Sequence, residues 1–191
     1  TGRNDWSSTL PINNNSYFYP SVTLSAIASD IFDLPQFVSF AKIRAAYAEV
    51  GNDTDPYKLQ SFYTNEIPFG ENPVLTESSL IPNANLKPEN TSSYEFGVDV
   101  RLFRSRVNLD MTYYSGTTKN QIIPISTDVA SGYTSKLINA GEVKNYGFEA
   151  IASFVPVKTD NFTWNSTFNF STNRSQVTDL RGVNYTLTER N

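Results

Sequence analysis

Between residues 93 and 103 apolar and polar positions alternate without a break. Tyr94, Phe96, Val98, Val100 and Leu102 fall on one face, and Ser93, Glu95, Gly97, Asp99 and Arg101 on the other. A period of two predicts a strand whose faces meet different surroundings. The next run begins almost at once. Val107, Leu109, Met111 and Tyr113 alternate with Asn108, Asp110, Thr112 and Tyr114, and only Arg104-Ser105-Arg106 lies between, so the two runs predict a tight hairpin. A second hairpin sets Tyr146, Phe148, Ala150, Ala152 and Phe154, then a short turn at 156–161, then Phe162, Trp164, Ser166, Phe168 and Phe170. An earlier and weaker pair places Val22, Leu24, Ala26 and Ala28 before a link at 31–37, and Ala41, Ile43, Ala45 and Tyr47 after it, opposed by Lys42 and Arg44. Residues 58–64 and 185–188 are weaker strand candidates.

The links alternate in length. Short ones lie near 31–37, 104–106 and 156–161; long ones lie near 51–91 and 115–142, rich in Asn, Ser, Pro and Gly. Every second link is short, which predicts an up-and-down antiparallel meander with unlike ends. Alternation by itself fits two architectures. A soluble β-sandwich produces it by packing one face on a second sheet. A membrane barrel produces it by facing lipid outside and water inside. Strands in soluble domains run to about 5–6 residues, whereas these runs hold for roughly 9–12, the length that crosses a bilayer as a tilted strand. The aromatics Tyr47, Tyr94, Tyr113, Tyr146, Phe154, Phe162 and Phe170 stand toward run ends, where a bilayer places its aromatic girdles. The expected fold is therefore all-β: an up-and-down antiparallel transmembrane β-barrel segment. It has about six to eight long strands, short periplasmic turns and long extracellular loops. Six good strands are fewer than the eight of the smallest usual barrels, and an open sheet with a wholly apolar face does not persist in lipid. Residues 1–191 are therefore expected to form part of one larger barrel domain. The alternative is a secreted β-sandwich carbohydrate-binding module.

Composition narrows the chemistry. Ser, Thr and Asn supply 60 of 191 residues, which suits strands, turns and a wet face rather than helices. The net charge of −4 offers no basic footprint for nucleic acid. With no His and no Cys in the chain, Ser-His-Asp and Cys-His catalysis, thiol chemistry and Cys/His zinc sites are excluded within it. No cofactor and no metal site is expected. The chain opens at Thr1, its single methionine is Met111, and it carries no leader, which predicts a processed chain or a piece of a longer one.

Several short motifs run in order. Asn85-Leu86-Lys87-Pro88-Glu89-Asn90-Thr91 leads into Tyr94-Glu95-Phe96-Gly97-Val98-Asp99. Arg106-Val107-Asn108-Leu109-Asp110-Met111 follows, then Asn139-Ala140-Gly141-Glu142-Val143 with Asn145-Tyr146-Gly147-Phe148-Glu149, then Phe162-Thr163-Trp164 and Asn169-Phe170-Ser171-Thr172-Asn173. Upstream stand Tyr19-Pro20-Ser21-Val22, Lys42-Ile43-Arg44-Ala45 and Gly51-Asn52. This colinear set, from about residue 19 to 175, resembles the SusC/RagA-type TonB-dependent outer-membrane transporters. The resemblance implies a slice from the C-terminal half of a large barrel, with the plug domain and closing strand outside this chain. It implies import of glycan fragments or peptides, a SusD-like surface lipoprotein as lid, energy from a TonB complex, and no covalent chemistry.

Candidate site residues follow from placement. Glu95, Asp99, Arg101 and Glu149 share the polar face and are expected to line the lumen, forming ion pairs or hydrogen bonds there. Glu95 and Asp99 are four residues apart on one strand, roughly 13 Å, too far for either carboxylate spacing of a glycosidase; an Asp/Glu glycosidase is the least favoured reading. Asp53 and Asp55 could offer oxygens to calcium but lack the rest of a calcium loop, and an Asx turn is the simpler expectation. Tyr57, Phe62, Tyr63, Phe69 and Tyr133 in the long loops are candidate contacts to substrate or lid, against the plainer reading that they pack the loops. Gly97 and Gly147 sit mid-strand on the inward face, where a bulge or close packing is expected.

Overall fold

A computed structural model of the chain describes residues 1–180. The alternation along each run is matched by alignment between runs. Seven strands form one antiparallel sheet in chain order: β1 (Gly2–Trp6), β2 (Ser16–Ile27), β3 (Val38–Asn52), β4 (Glu89–Leu102), β5 (Val107–Lys119), β6 (Glu142–Lys158) and β7 (Thr163–Asp179). Each strand pairs with its neighbours in sequence, as an up-and-down meander requires. The six strands read from alternation, β2 to β7, run 12 to 17 residues, longer than the alternating cores from which they were read.

Register lines the apolar positions into rows. Leu24, Ala45, Phe96, Tyr113 and Phe148 share one row; Ala26, Ile43, Val98, Met111, Ala150 and Phe170 share the next. Val22, Tyr47, Tyr94, Ser115, Tyr146 and Arg174 form the row above, and Glu49, Ser92, Thr117, Lys144 and Gln176 the one beyond it. The apolar band thus stops at a line of tyrosines and turns polar within one step. Toward the other end it runs through Phe154 and Phe168 to Trp164. Tyr146 to Pro156 is ten residue steps, roughly 33 Å along the strand, which a tilt of about 40° projects to about 25 Å, the height of a membrane barrel's apolar band.

Several expectations change. β1 is a seventh wall strand, too short and too polar for its pattern to stand out. Residues 58–64 contribute no wall strand; only Tyr63–Asn65 is extended, paired with Leu75–Glu77 in a small separate hairpin. Residues 185–188 lie outside the described residues. Phe170 and Tyr113 do not mark band edges: Phe170 sits beside Ala150 in mid-band and Tyr113 beside Phe96 and Phe148. Strands that continue past the apolar core put the ends of the alternating runs inside the sheet. Neither Gly97 nor Gly147 forms a bulge; the ladder is continuous at both, and register shifts fall elsewhere, at Val38/Phe40 and Phe154/Val157 among them.

Three links lie at one end: 28–37, which holds the one-turn helix Ala28–Ile31, then 103–106 and 159–162. In the middle link Phe103, Arg104 and Ser105 all take left-handed backbone, with φ of 53°, 58° and 64°. Each such residue costs about 1–2 kcal/mol without glycine. The Phe103 N–H donates to the Phe37 carbonyl at 2.7 Å and the Arg104 N–H to Ser39 Oγ at 2.8 Å, which hold the turn in place.

The opposite end carries the link 7–15, which is no longer than 28–37, and the long loops 53–88 and 120–141, so length separates the two ends only from β3 onward. The buried apolar cluster lies there and not in the wall. Leu10, Leu86 and Leu137 are buried together, with Tyr17, Leu59, Leu80 and Ile122 packed around them. Ile122–Ser126 pairs with Ser135–Asn139, which also takes Leu80–Ile81 alongside in parallel.

Candidate functional site

The inner face of the wall gathers the charges. Because side chains two apart share a face and register aligns the strands, Lys42 and Arg44 from β3, Glu95, Asp99 and Arg101 from β4, Asp110 from β5 and Glu149 from β6 all lie on it. The four lumen candidates named from the sequence do share this face. Arg44 and Asp110, which organise it, were not singled out there, although their alternation parity places them on the same side.

Arg44 spans β4 to reach β5. Its Nη1 and Nη2 donate to the two oxygens of Asp110 at 3.2 and 2.8 Å, and Nη2 also donates to Thr112 Oγ1 at 3.2 Å. Between them lies Gly97, where an added Cβ would stand 2.7 Å from Arg44 Nε. The glycine therefore leaves the path the guanidinium takes. Gly147 makes room in a similar way. A Cβ there would meet the Tyr114 hydroxyl at 2.5 Å and the Thr172 carbonyl at 2.3 Å, so the tyrosine ring covers the bare backbone. This is the aromatic cover that sheets lay over glycine.

Asp99 and Asp110 face each other across β4 and β5, a pairing that is unfavourable between like charges. Arginine relieves both. Asp110 holds Arg44, and Asp99 lies 3.6 Å from Arg101, whose guanidinium sits 4.8 Å over the Phe40 ring. Glu95 and Glu149 are separated by the width of β5 and offset by one row. Each member of the one facing acid pair on the inner face thus has its own arginine, while Lys42, Glu95 and Glu149 share the face with them.

The loop end is locked by the motifs seen in the sequence. Asn139 Nδ2 donates to the Lys87 carbonyl at 2.8 Å and the Lys87 N–H donates back to Asn139 Oδ1 at 2.8 Å. The Leu-Lys-Pro-Glu and Asn-Ala-Gly stretches therefore meet, Leu86 buried at 0 % exposure and Gly141 taking the left-handed backbone that ends the loop. Glu89 accepts from the Ile122 N–H at 2.8 Å and from Asn52 Nδ2 at 3.2 Å. Ser7 Oγ donates to Asp53 Oδ2 at 2.6 Å, so Asp53 ties two loops together. Among the described residues no three acidic groups gather as cation ligands.

The loop aromatics separate into groups. Tyr57 and Phe62 have ring centroids 5.9 Å apart. Tyr57 also lines a groove of about 390 Å³ with Ser8, Thr9, Pro56, Leu59 and Gln60, neighbours that no sequence pattern pointed to. Tyr63 lies opposite Glu77 in the small hairpin, and the Tyr133 hydroxyl donates to Glu77 at 3.2 Å. The Glu77 carboxylate, by its charge first and its hydrogen bond second, holds the Tyr133 phenol above its ordinary pKa. Phe69 stands at the hairpin tip beside Gly70, 82 % exposed and apart from the others.

A family model described as TonB dependent receptor-like, beta-barrel, matches residues 1–190. TonB-dependent receptor P26 of Formosa agariphila is 30% identical over 189 residues, covering 96% of this chain and 19% of that protein. TonB-dependent receptor SusC of Bacteroides thetaiotaomicron is 28% identical over 118 residues, 61% of this chain and 12% of SusC. Among solved structures, the RagAB peptide transporter superposes with a TM-score of 0.84 at 25% identity, over 95% of this chain and 20% of that one. The chain spans about a fifth of the length of the first of these relatives.

Proposed function

The chain belongs to the TonB-dependent receptor β-barrel family, and we propose that residues 1–191 form a sector of the wall of an outer-membrane importer for bulky nutrients. The observation that carries this reading is the aligned outer face: a charge-free band about 25 Å tall, bounded by Tyr47, Tyr94 and Tyr146, backed by an inner face that gathers the charges. The short links 28–37, 103–106 and 159–162 lie on the periplasmic side and the loops 7–15, 53–88 and 120–141 outside, following the usual asymmetry of outer-membrane barrels. The inner charges, Glu95, Asp99, Arg101 and Glu149 with Arg44 and Asp110, face the plug and the passage. The cargo is a glycan fragment or a peptide, captured beneath a SusD-like lipoprotein and drawn in by a TonB complex acting through parts of the protein beyond this chain. Tyr57, Phe62, Tyr63, Phe69 and Tyr133 are the proposed contacts to cargo or lid, since rigid scaffolds carry recognition on their loops.

Spin labels on Val98→Cys, Asp99→Cys and Val100→Cys in the full-length protein test the wall. Positions 98 and 100 should respond to a lipid-soluble quencher and position 99 to a water-soluble one; equal response at all three removes the barrel assignment. For the loops, Tyr133→Ala and the double variant Tyr57→Ala/Tyr63→Ala should slow growth on the cognate nutrient at normal outer-membrane level. Normal growth would assign these rings to loop packing alone.

A further inference from the structure

At the end that carries the links 28–37, 103–106 and 159–162, the inner side of the wall bears a polar hollow of about 320 Å³. Lys158 and Thr163 are cross-strand partners one step beyond Val157 and Trp164, and Asn165 alternates with Trp164 along β7. Trp164 faces outward, so Lys158, Thr163 and Asn165 face inward. Arg104, Ser105 and Arg106 line the hollow from the turn between β4 and β5. Arg106 also borders an apolar groove on the outer face, so Arg104 and Lys158 are the cations that belong to the hollow alone. All three cations are exposed, and none belongs to an ion pair among the described residues. Ser105 lines a second inward hollow as well, of about 310 Å³, beside Asp99 and Asp110. Those two acids already hold Arg101 and Arg44, so neither is free to answer the cations of the first hollow. Asp160 is the one acid in the links 103–106 and 159–162, whereas the link 28–37 carries Asp30 and Asp33 and no cation. Positive charge is thus gathered at one place along this end of the wall. Left-handed backbone at Arg104, held by the bond from its N–H to Ser39 Oγ, fixes where that side chain starts.

We propose that this hollow docks an acidic segment of the receptor's own polypeptide, one that lies within the barrel and outside residues 1–191. The inference rests on the reading of the sheet as a barrel wall and deepens it. In a closed barrel the inner side of the wall is reached only from the lumen. This chain covers 19% of TonB-dependent receptor P26, and a receptor of that length has polypeptide to spare for the lumen. Charge complementarity sets the chemistry of the occupant. The forked guanidinium groups of Arg104 and Arg106 suit carboxylates, and Lys158 adds a point charge. Ser105, Thr163 and Asn165 offer hydrogen bonds between them. Strength decides between a tethered segment and a free anion. Exposed ion pairs are individually weak and are screened by salt, so three exposed cations do not retain a free anion. A segment of the same polypeptide is held nearby at high effective concentration, where a few weak pairs suffice. Such a dock releases readily, and its hold falls as salt rises.

The test places the photo-crosslinking residue p-benzoylphenylalanine at Asn165, or at Trp164 as the outward control, in the full-length receptor. Products formed in isolated outer membranes are identified by mass spectrometry. Position 165 should join a stretch of the same polypeptide outside residues 1–191 that carries two or more Asp or Glu residues. Position 164, on the opposite face, should join lipid. The yield at 165 should fall about fivefold in Arg104→Glu/Lys158→Glu, the worth of two exposed pairs, with heat-modifiable migration showing that the barrel is folded. Arg104→Gln/Lys158→Gln should lower it by a smaller factor and serves if the reversed variant does not fold. Acid-to-Lys changes in the joined stretch should restore the yield of the reversed variant. No polypeptide product at 165, a product without acidic residues, or a yield that both double variants leave unchanged would overturn the dock. With lipid joined at 164, any of these leaves the wall reading standing. The same polypeptide product from 164 and 165 would instead remove the assignment of opposite faces, and the wall with it.

Discussion

Ile43 and Phe96, in the middle of the wall, are 50% and 55% exposed, whereas Leu86 in the long loops is 0% exposed. The two regions handle apolar surface in opposite ways. The wall turns its large side chains outward in aligned rows and leaves their burial to lipid. The loops fold Leu10, Leu86 and Leu137 inward and lock them with hydrogen bonds from Asn139 and Asn14 to backbone carbonyls. A soluble domain would do the reverse, with its core between sheets and its loops bare. Each region therefore has its own solvent: hydrocarbon for the strands, water and neighbouring loops for the cap. Different substitutions should break each.

The largest expected effect is in the cap. Leu86→Ala empties a fully enclosed site and should cost about 2–5 kcal/mol, according to how far the loops collapse. Limited proteolysis of intact cells should then cut the loops while the barrel keeps its heat-modifiable migration. If the barrel melts as well, cap and wall are one cooperative unit and the contrast fails.

Val98→Arg addresses the wall. A cation at mid-band on a lipid face costs roughly 2–4 kcal/mol, and the outer-membrane level of the receptor should drop. Arginine at Asn169, on the inner face opposite Ile151, should leave that level near normal; equal losses at both positions would mean that the two faces do not differ in surroundings.

The smallest effects distinguish the two inward glycines. Gly147→Ala drives a Cβ against the Thr172 carbonyl, backbone that cannot swing away, and should cost about 1–3 kcal/mol in a denaturant titration. Gly97→Ala meets only the Arg44 guanidinium, a flexible group that can move off at a loss of about 1 kcal/mol or less, as for part-exposed ion pairs. A larger loss at Gly97 than at Gly147 would show that the Arg44–Asp110 bridge, not the strand backbone, sets the rigidity of the inner face.

Much of the wall was legible because its signal is local. Outward and inward positions are fixed by a period of two within one strand, so Tyr94 through Leu102 could be assigned without knowing any neighbour. Link length, also local, separated the two ends. β1 was missed because five residues with one large apolar side chain carry no period. Phe170 was misplaced because the end of an alternating run is not the end of the strand: β7 continues to Asp179 through residues that are polar except for Val177 and so carry no apolar alternation. The motifs Leu-Lys-Pro-Glu and Asn-Ala-Gly were visible as words, but their meaning was not. Lys87 and Asn139 are 52 residues apart and become partners only when β4, β5 and β6 are in register.

The sequence alone determined that the chain makes long strands with one apolar and one polar face, joined by alternately short and long links, without groups for histidine or thiol chemistry. Those are properties of composition and of intervals of two residues, which no folding is needed to express. Only the tertiary structure decided that the tyrosines of three strands form one line, that Arg44 crosses Gly97 to reach Asp110, and that the core lies in the loops. These depend on inter-strand register, and register is set jointly by turn geometry, bulges and packing across contacts dozens of residues apart.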